Sequence, residues 1–227
     1  MVFVALAVAL AVLFVRLGVW QLDRRAERRV RNAVTAAQLA QGELPFEHVR
    51  REAEPMLRRV VLEGTPDTAN EFMITGRSRN GSPGVHILTP VRVPGSDTAV
   101  LVNRGWVYAA DAATAELAGW REQRVVFHGY TNQLPQSFVS PVIKGRSLRP
   151  LGVLGVQRLI PYPVRDLYLV SQDSQTDQTP ARLPLPALDE GPHLMYAIQW
   201  YAFAAIALIG SAVVARRTLS EPRVTSH

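Results

Sequence analysis

Apolar residues gather at the two ends of the chain, in one run from Val2 to Leu22 and a second from Leu194 to Val214, each of about 21 residues. Coiled at 1.5 Å per residue, each run makes a helix of about 31 Å, the thickness of a hydrocarbon core of about 30 Å. Both runs therefore read as membrane spans. For the first, a cleaved signal peptide is the competing reading, but the run has no basic leader, exceeds the usual apolar length and lacks a small-x-small cleavage site. Arg16 lies inside it, about 9 Å from its end, and reads as an anchor that snorkels toward the headgroups. The second run is framed by Pro192 before it and Arg216-Arg217 after it.

Between the runs the pattern changes twice. Residues 23–43 are charged and alanine-rich, with no Gly or Pro before Gly42, and read as a helical stalk. Glu27 and Arg31 stand at i and i+4; the arginines of this stretch serve either a solvated face or contact with anionic lipid headgroups. Residues 44–190 carry short β-branched or alternating runs divided by Gly, Pro, Asn and Asp. Strands are predicted at Arg59 to Glu63, Phe72 to Thr75, Val85 to Val93, Ala99 to Val107, Arg124 to Tyr130 and Leu167 to Ser171. Asn80-Gly81 and Pro94-Gly95-Ser96-Asp97 supply turns between antiparallel neighbours. Short helices are expected at Asp111 to Leu117, capped by Asp111, and within Leu148 to Leu159; Pro180 to Pro192 reads as an extended tether. The predicted fold class is an α+β membrane protein. Transmembrane helices at 2–22 and 194–214 flank a mostly β, barrel-like or bent-sheet extracytoplasmic domain, and 215–227 form a cytoplasmic tail.

Composition and charge refine this picture. The whole-chain average of 48% hydrophobic residues looks like a soluble protein and conceals the segregation at the ends. The net charge of +6 comes almost wholly from arginines beside the apolar runs, and no nucleic-acid motif accompanies them, so nucleic acid is excluded as a partner. The absence of cysteine removes disulfides, thiolate metal sites and thiol nucleophiles. Arg216-Arg217 place the end of the second span in the cytoplasm, hence both termini inside and the middle outside a cell inner membrane; the arginines after Leu22 pull the other way, which a long translocated segment tolerates.

No catalytic constellation is present: the histidines are scattered, and neither a nucleophile elbow nor a phosphate loop occurs. His86 and His128 fall in predicted strands and read as surface or hydrogen-bonded residues, and His227 as part of a terminal tail. His193 differs, because it opens the second span. At 100° per residue it shares a sector of roughly 60° with Tyr196, Trp200, Ala204 and Ala207. An interface belt that packs against a neighbouring helix accounts for such a face; so does an imidazole that ligates heme iron while Tyr196 and Trp200 contact the macrocycle. In the first span Gly18 permits close helix approach and Gln21 can hydrogen-bond across it, with Trp20-Gln21 and Gln199-Trp200 expected to pack together.

Three blocks resemble the Surfeit locus protein 1 family of cytochrome c oxidase assembly factors. They are Leu17-Gly18-Val19-Trp20-Gln21-Leu22 followed by Arg24; Leu101-Val102-Asn103-Arg104-Gly105-Trp106-Val107; and His193-Leu194-Met195-Tyr196-Ala197-Ile198-Gln199-Trp200. The chain departs from the family at Tyr108, where Pro is usual, and in carrying Arg16. The resemblance implies a membrane assembly factor of the respiratory chain that binds heme A transiently through His193. It implies delivery to cytochrome c oxidase subunit I, with heme A synthase as a further partner and no reaction of its own. A membrane-tethered scaffold that binds no heme is the alternative. For Asn103-Arg104-Gly105-Trp106 two readings stand: a bulge at Gly105 with Trp106 closing the core, or a direct partner contact.

Overall fold

The computed structural model describes residues 2–120, 122, 124–136 and 139–220. Two compact units are present, one formed by 1–36 with 188–227 and the other by 37–187.

The first unit holds two long helices, α1 (Val2–Ala40) and α3 (His193–Ser220). Both are long and apolar enough to cross a membrane, and most of their large apolar side chains are exposed, as lipid-facing residues must be. The stalk is the uninterrupted continuation of α1, since nothing before Gly42 breaks it. The α3 helix starts at His193 itself, where Tyr196 N donates to Pro192 O at 3.1 Å, and continues through the first residues of the expected tail. Residues 221–227 of that tail, His227 included, lie outside the described residues.

The second unit is a mixed sheet of ten strands. In chain order these are β1 (Leu44–Pro45), β2 (Arg59–Glu63), β3 (Thr65–Pro66), β4 (Phe72–Arg79), β5 (Ser82–Arg92), β6 (Ala99–Tyr108), β7 (Val126–Gln133), β8 (Val142–Lys144), β9 (Ser147–Arg149) and β10 (Leu167–Ser171). Their order across the sheet is β1-β2-β7-β10-β6-β5-β4-β9-β8, with β3 added to β5, so among the described residues the ladder is open, with β1 and β8 at its ends. Both expected turns join antiparallel neighbours: Asn80 and Gly81, at φ 49° and 79°, link β4 to β5, and the turn after Val93 links β5 to β6.

One expected helix is corrected. At Asp111 the carboxylate accepts from Ala113 N and Thr114 N, both at 2.9 Å, and from Thr114 Oγ1 at 2.6 Å. With Ala112 at φ 52°, this local turn replaces the helix, and a short 3-10 helix follows at Leu117–Trp120. The helix expected within Leu148 to Leu159 is present as α2 (Val153–Leu159), beyond Pro150 and Gly152, while Leu148 itself belongs to β9. The strand expected from Arg124 begins at Val126, and the Arg124 guanidinium pairs with Asp173 at 3.0 Å.

All five residues of β10 are buried, so the sheet is covered on both faces. Tyr168 and Val170 pack with Leu101, Leu148 and Val156 of α2; Leu167 and Leu169 pack with Val100, Val102 and the 3-10 residues Phe46 and Val49.

A β-bulge interrupts the β5/β6 ladder: Ile87 pairs with Gly105 and Leu88 with Asn103, leaving Arg104 as the extra residue. Gly105 has φ 129°, and a Cβ there would lie 2.4 Å from Ala181 O. The close approach matters because Trp106 and Ala181 exchange two backbone hydrogen bonds of 2.8 Å, which tie the 180–182 segment to β6. Gly105→Ala combines a disfavoured backbone with a backbone clash and is expected to cost at least about 1–3 kcal/mol. Thermal unfolding of the full chain in detergent, followed by circular dichroism, reads that loss as a lowered Tm.

Candidate functional site

The paired helices of the first unit meet along small residues. Ala197, Ala204 and Ser211 are buried at seven-residue intervals on α3, against Ala7, Ala11 and Gly18 on α1. A heptad-spaced row of small side chains is what close packing of membrane helices requires, since lipid competes equally for larger apolar groups. At Gly18 the Tyr201 ring takes the space of a side chain: a Cβ there would lie 2.7 Å from it. Below it Phe14 stacks on Trp200 at 5.7 Å between ring centres, with Phe203 at 5.8 Å from Phe14.

At the polar end of this seam His193 is half-buried and its Nδ1–H donates to Gln21 Oε1 at 2.8 Å. An amide oxygen only accepts, so this bond takes a ring proton on Nδ1, and in the neutral ring the lone pair of Nε2 is then open. A metal-ligating imidazole is commonly held in this way, its second nitrogen fixed by an oxygen acceptor.

An ion-pair collar surrounds the start of α3. Glu190 receives Arg25 at 2.6 Å and Arg29 at 2.8 Å; Asp189 receives Arg28 at 3.2 Å, and its carbonyl accepts from Asn32 at 2.8 Å. Single exposed pairs contribute little, but here several converge on two consecutive residues and fix the backbone that leads to His193. Arg24 instead pairs with Glu27 at 2.5 Å, as does Arg31 at 3.8 Å. The charged stretch is thus mostly an intramolecular clamp.

The remaining expected site residues of the helix pair are placed unevenly. Trp200 lies at the seam, against Phe14. Tyr196 is 47% exposed and lies beside the packed face, which runs through Ala197. Trp20 is 53% exposed and Gln199 is exposed, so the expected packing of Trp20-Gln21 on Gln199-Trp200 is corrected: Gln21 meets His193, and Trp200 meets Phe14.

In the sheet unit Asn103 and Arg104 are each 3% exposed. Arg104 pairs with the fully buried Glu71 at 2.6 Å and with Glu122 at 3.3 Å, while Thr89 also donates to Glu71. Arg182 binds Glu122 at 2.9 Å and donates to Arg104 O at 2.6 Å. Asn103 Oδ1 accepts from Gly105 N at 3.1 Å, closing the bulge. The motif is therefore spent inward, and Trp106, half-buried over Gly84, lies outside the main core clusters. Burial raises the Glu122 carboxyl, but the Arg182 hydrogen bond and the arginine charges outweigh it, holding the pKa below the usual value. His86, beside Asn103, is lowered to about 4 by burial and the Arg77 charge. His128 donates from Nδ1 to Glu43 at 3.0 Å. Sequence reasoning missed Glu71, Glu122, Asp189 and Glu190. The last two carried a signal: two acids immediately before one span, facing a run of arginines immediately after the other.

Two apolar helices around a polar-capped seam, joined through a ten-stranded mixed sheet, define an α+β membrane protein. The model of the SURF1 family matches residues 8–205, covering all three sequence blocks, and the chain belongs to that family. Membership assigns it a role in cytochrome c oxidase assembly. No curated protein matches the chain.

Removing one partner of the buried pair is expected to be costly. Arg104→Met or Glu71→Leu alone should destabilise by about 3–5 kcal/mol, and the double variant by less than the sum, as read from denaturant unfolding in detergent. The His86 ring titrates near 4 when folded against 6.5 when unfolded, so its contribution is full above pH 6.5 and is lost as pH falls toward 4. Stability should decline by up to about 3 kcal/mol over that window, and His86→Gln should flatten the decline. The carboxylates of the network act mainly below pH 4.5, which separates the two effects.

Proposed function

We propose that the chain carries heme A transiently at the His193 end of the helix pair and assists its delivery to cytochrome c oxidase subunit I, with no reaction of its own. It does so in the cell inner membrane, with the sheet unit extracytoplasmic and both termini cytoplasmic; heme A synthase is the source of the cargo. The hydrogen bond from His193 Nδ1 to Gln21 carries this reading, because it keeps Nε2 available to iron. A porphyrin brings four nitrogens of its own and asks the protein for an axial ligand. Tyr196, exposed one turn from His193, offers aromatic surface for an apolar macrocycle, with Trp200 a further turn along α3.

The same bond also closes the seam of the helix pair, which favours a second reading, a scaffold that binds no heme. Purification from cells that make heme A separates the two. The account expects a stoichiometric heme A absorption spectrum in wild type, its loss in His193→Ala, and occupancy reduced about 10- to 100-fold in Gln21→Leu. Wild-type protein without heme would leave the scaffold.

A further inference from the structure

The observation that the assembly role does not absorb is Arg16. It lies within the apolar run of α1, is exposed, and has no hydrogen bond or ion pair among the described residues. Gly18 faces α3, and Arg16 is two residues away, roughly 160° round the helix, so the guanidinium points away from the helix pair. Val12 and Trp20, one turn to either side, are 58% and 53% exposed on that outward face.

Snorkelling to the nearer headgroups, which the sequence suggests, runs against the lean of the side chain. The nearest acid toward the polar end is Asp23, seven residues or about 10 Å along the axis, while Val2 is about 21 Å away in the other direction. Side chains of a helix lean toward its N-terminus, so Arg16 leans along the longer path, away from the nearer headgroups. An exposed cation at such a depth is paired in functioning membrane proteins, commonly with a carboxylate. A second copy of this chain would bring another arginine to the same level and be repelled.

We propose that the Arg16 face of α1 docks a transmembrane helix of a partner membrane protein, and that this helix carries an Asp or Glu at the depth of Arg16. Trp20 and Val12 flank the charge and supply the apolar contact. The pairing selects one partner and one register, because a carboxylate in hydrocarbon is itself unfavourable without its cation. This rests on the reading of α1 as a membrane span and is independent of heme binding at His193, which lies at the opposite side of α1.

The test is photo-crosslinking in intact membranes, with the full chain carrying a benzophenone amino acid at Val12. The expected adduct is a membrane-spanning helix of another protein with Asp or Glu within one turn of the cross-linked residue. Arg16→Leu should lower its yield at least tenfold and Arg16→Lys less. Arg16→Glu should abolish it, and exchange of the partner's acid for Arg should restore it. Arg16→Leu makes the span more apolar, so both it and wild type should resist carbonate extraction; extraction of wild type would overturn the membrane reading on which the proposal stands. Adducts to lipid alone, to a second copy, or to a helix without an acid, or a yield unchanged in Arg16→Leu, would overturn the docking. An unaltered heme spectrum in Arg16→Leu distinguishes that failure from failure of the His193 reading.

Discussion

Two apolar helices surrounded by lipid gain little from burying large side chains against each other, so their association depends on how closely the backbones approach. In this chain Gly18 of α1 admits the Tyr201 ring of α3, and small residues are buried on both helices, Ala7 and Ala11 on α1 and Ala197, Ala204 and Ser211 on α3. The functional end of the pair follows from it. At that end Gln21 reaches His193, and the collar of arginines closes on Asp189 and Glu190. The hydrogen bond holds the imidazole in one tautomer, and the collar fixes the turn from which α3 starts. A bulky residue at position 18 would separate all three.

The sheet unit solves a different problem with a different device. A bulge at Arg104 turns one guanidinium into the interior, where Glu71 and Glu122 neutralise it, and Gly105 lets the 180–182 segment pair with β6. Buried charges are poor contributors to net stability, yet leaving any one of them alone is expensive. Such a network favours a single arrangement of the strands and of the segment that Arg182 fastens to them. This gives the central motif a role in shaping the unit, since Asn103 and Arg104 have no surface left to offer a partner.

Much of this was legible before the structure. The two spans followed from length and apolarity, and β2 and β10 from β-branched alternation bounded by turn residues, as did the hairpin at Asn80-Gly81. Gly18 and Gln21 were identifiable because a small residue and an amide at i and i+3 have few other uses in a span. What periodicity could not reveal were interactions between distant residues. The helix expected after Asp111 was lost to local hydrogen bonds of its own carboxylate, and the helix expected within Leu148 to Leu159 formed only after the residues that pair β9 with β4. Helical angles placed Tyr196 in the seam, but a heptad row of small residues rotated the packed face to Ala197. Glu71 and Glu122 looked like ordinary surface carboxylates, since nothing local marks a charge whose partner lies 33 or 18 residues away.

The claim at the centre of this account is that Gln21 holds the His193 ring with its proton on Nδ1 and Nε2 free. Nitrogen-15 NMR of the full chain in lipid nanodiscs, labelled at histidine, assigned with His193→Asn and recorded without heme, reads the tautomer directly. The account predicts a protonated Nδ1 and a pyridine-like Nε2 for His193, with the distinction lost in Gln21→Leu. A proton on Nε2 in the wild-type protein would contradict it.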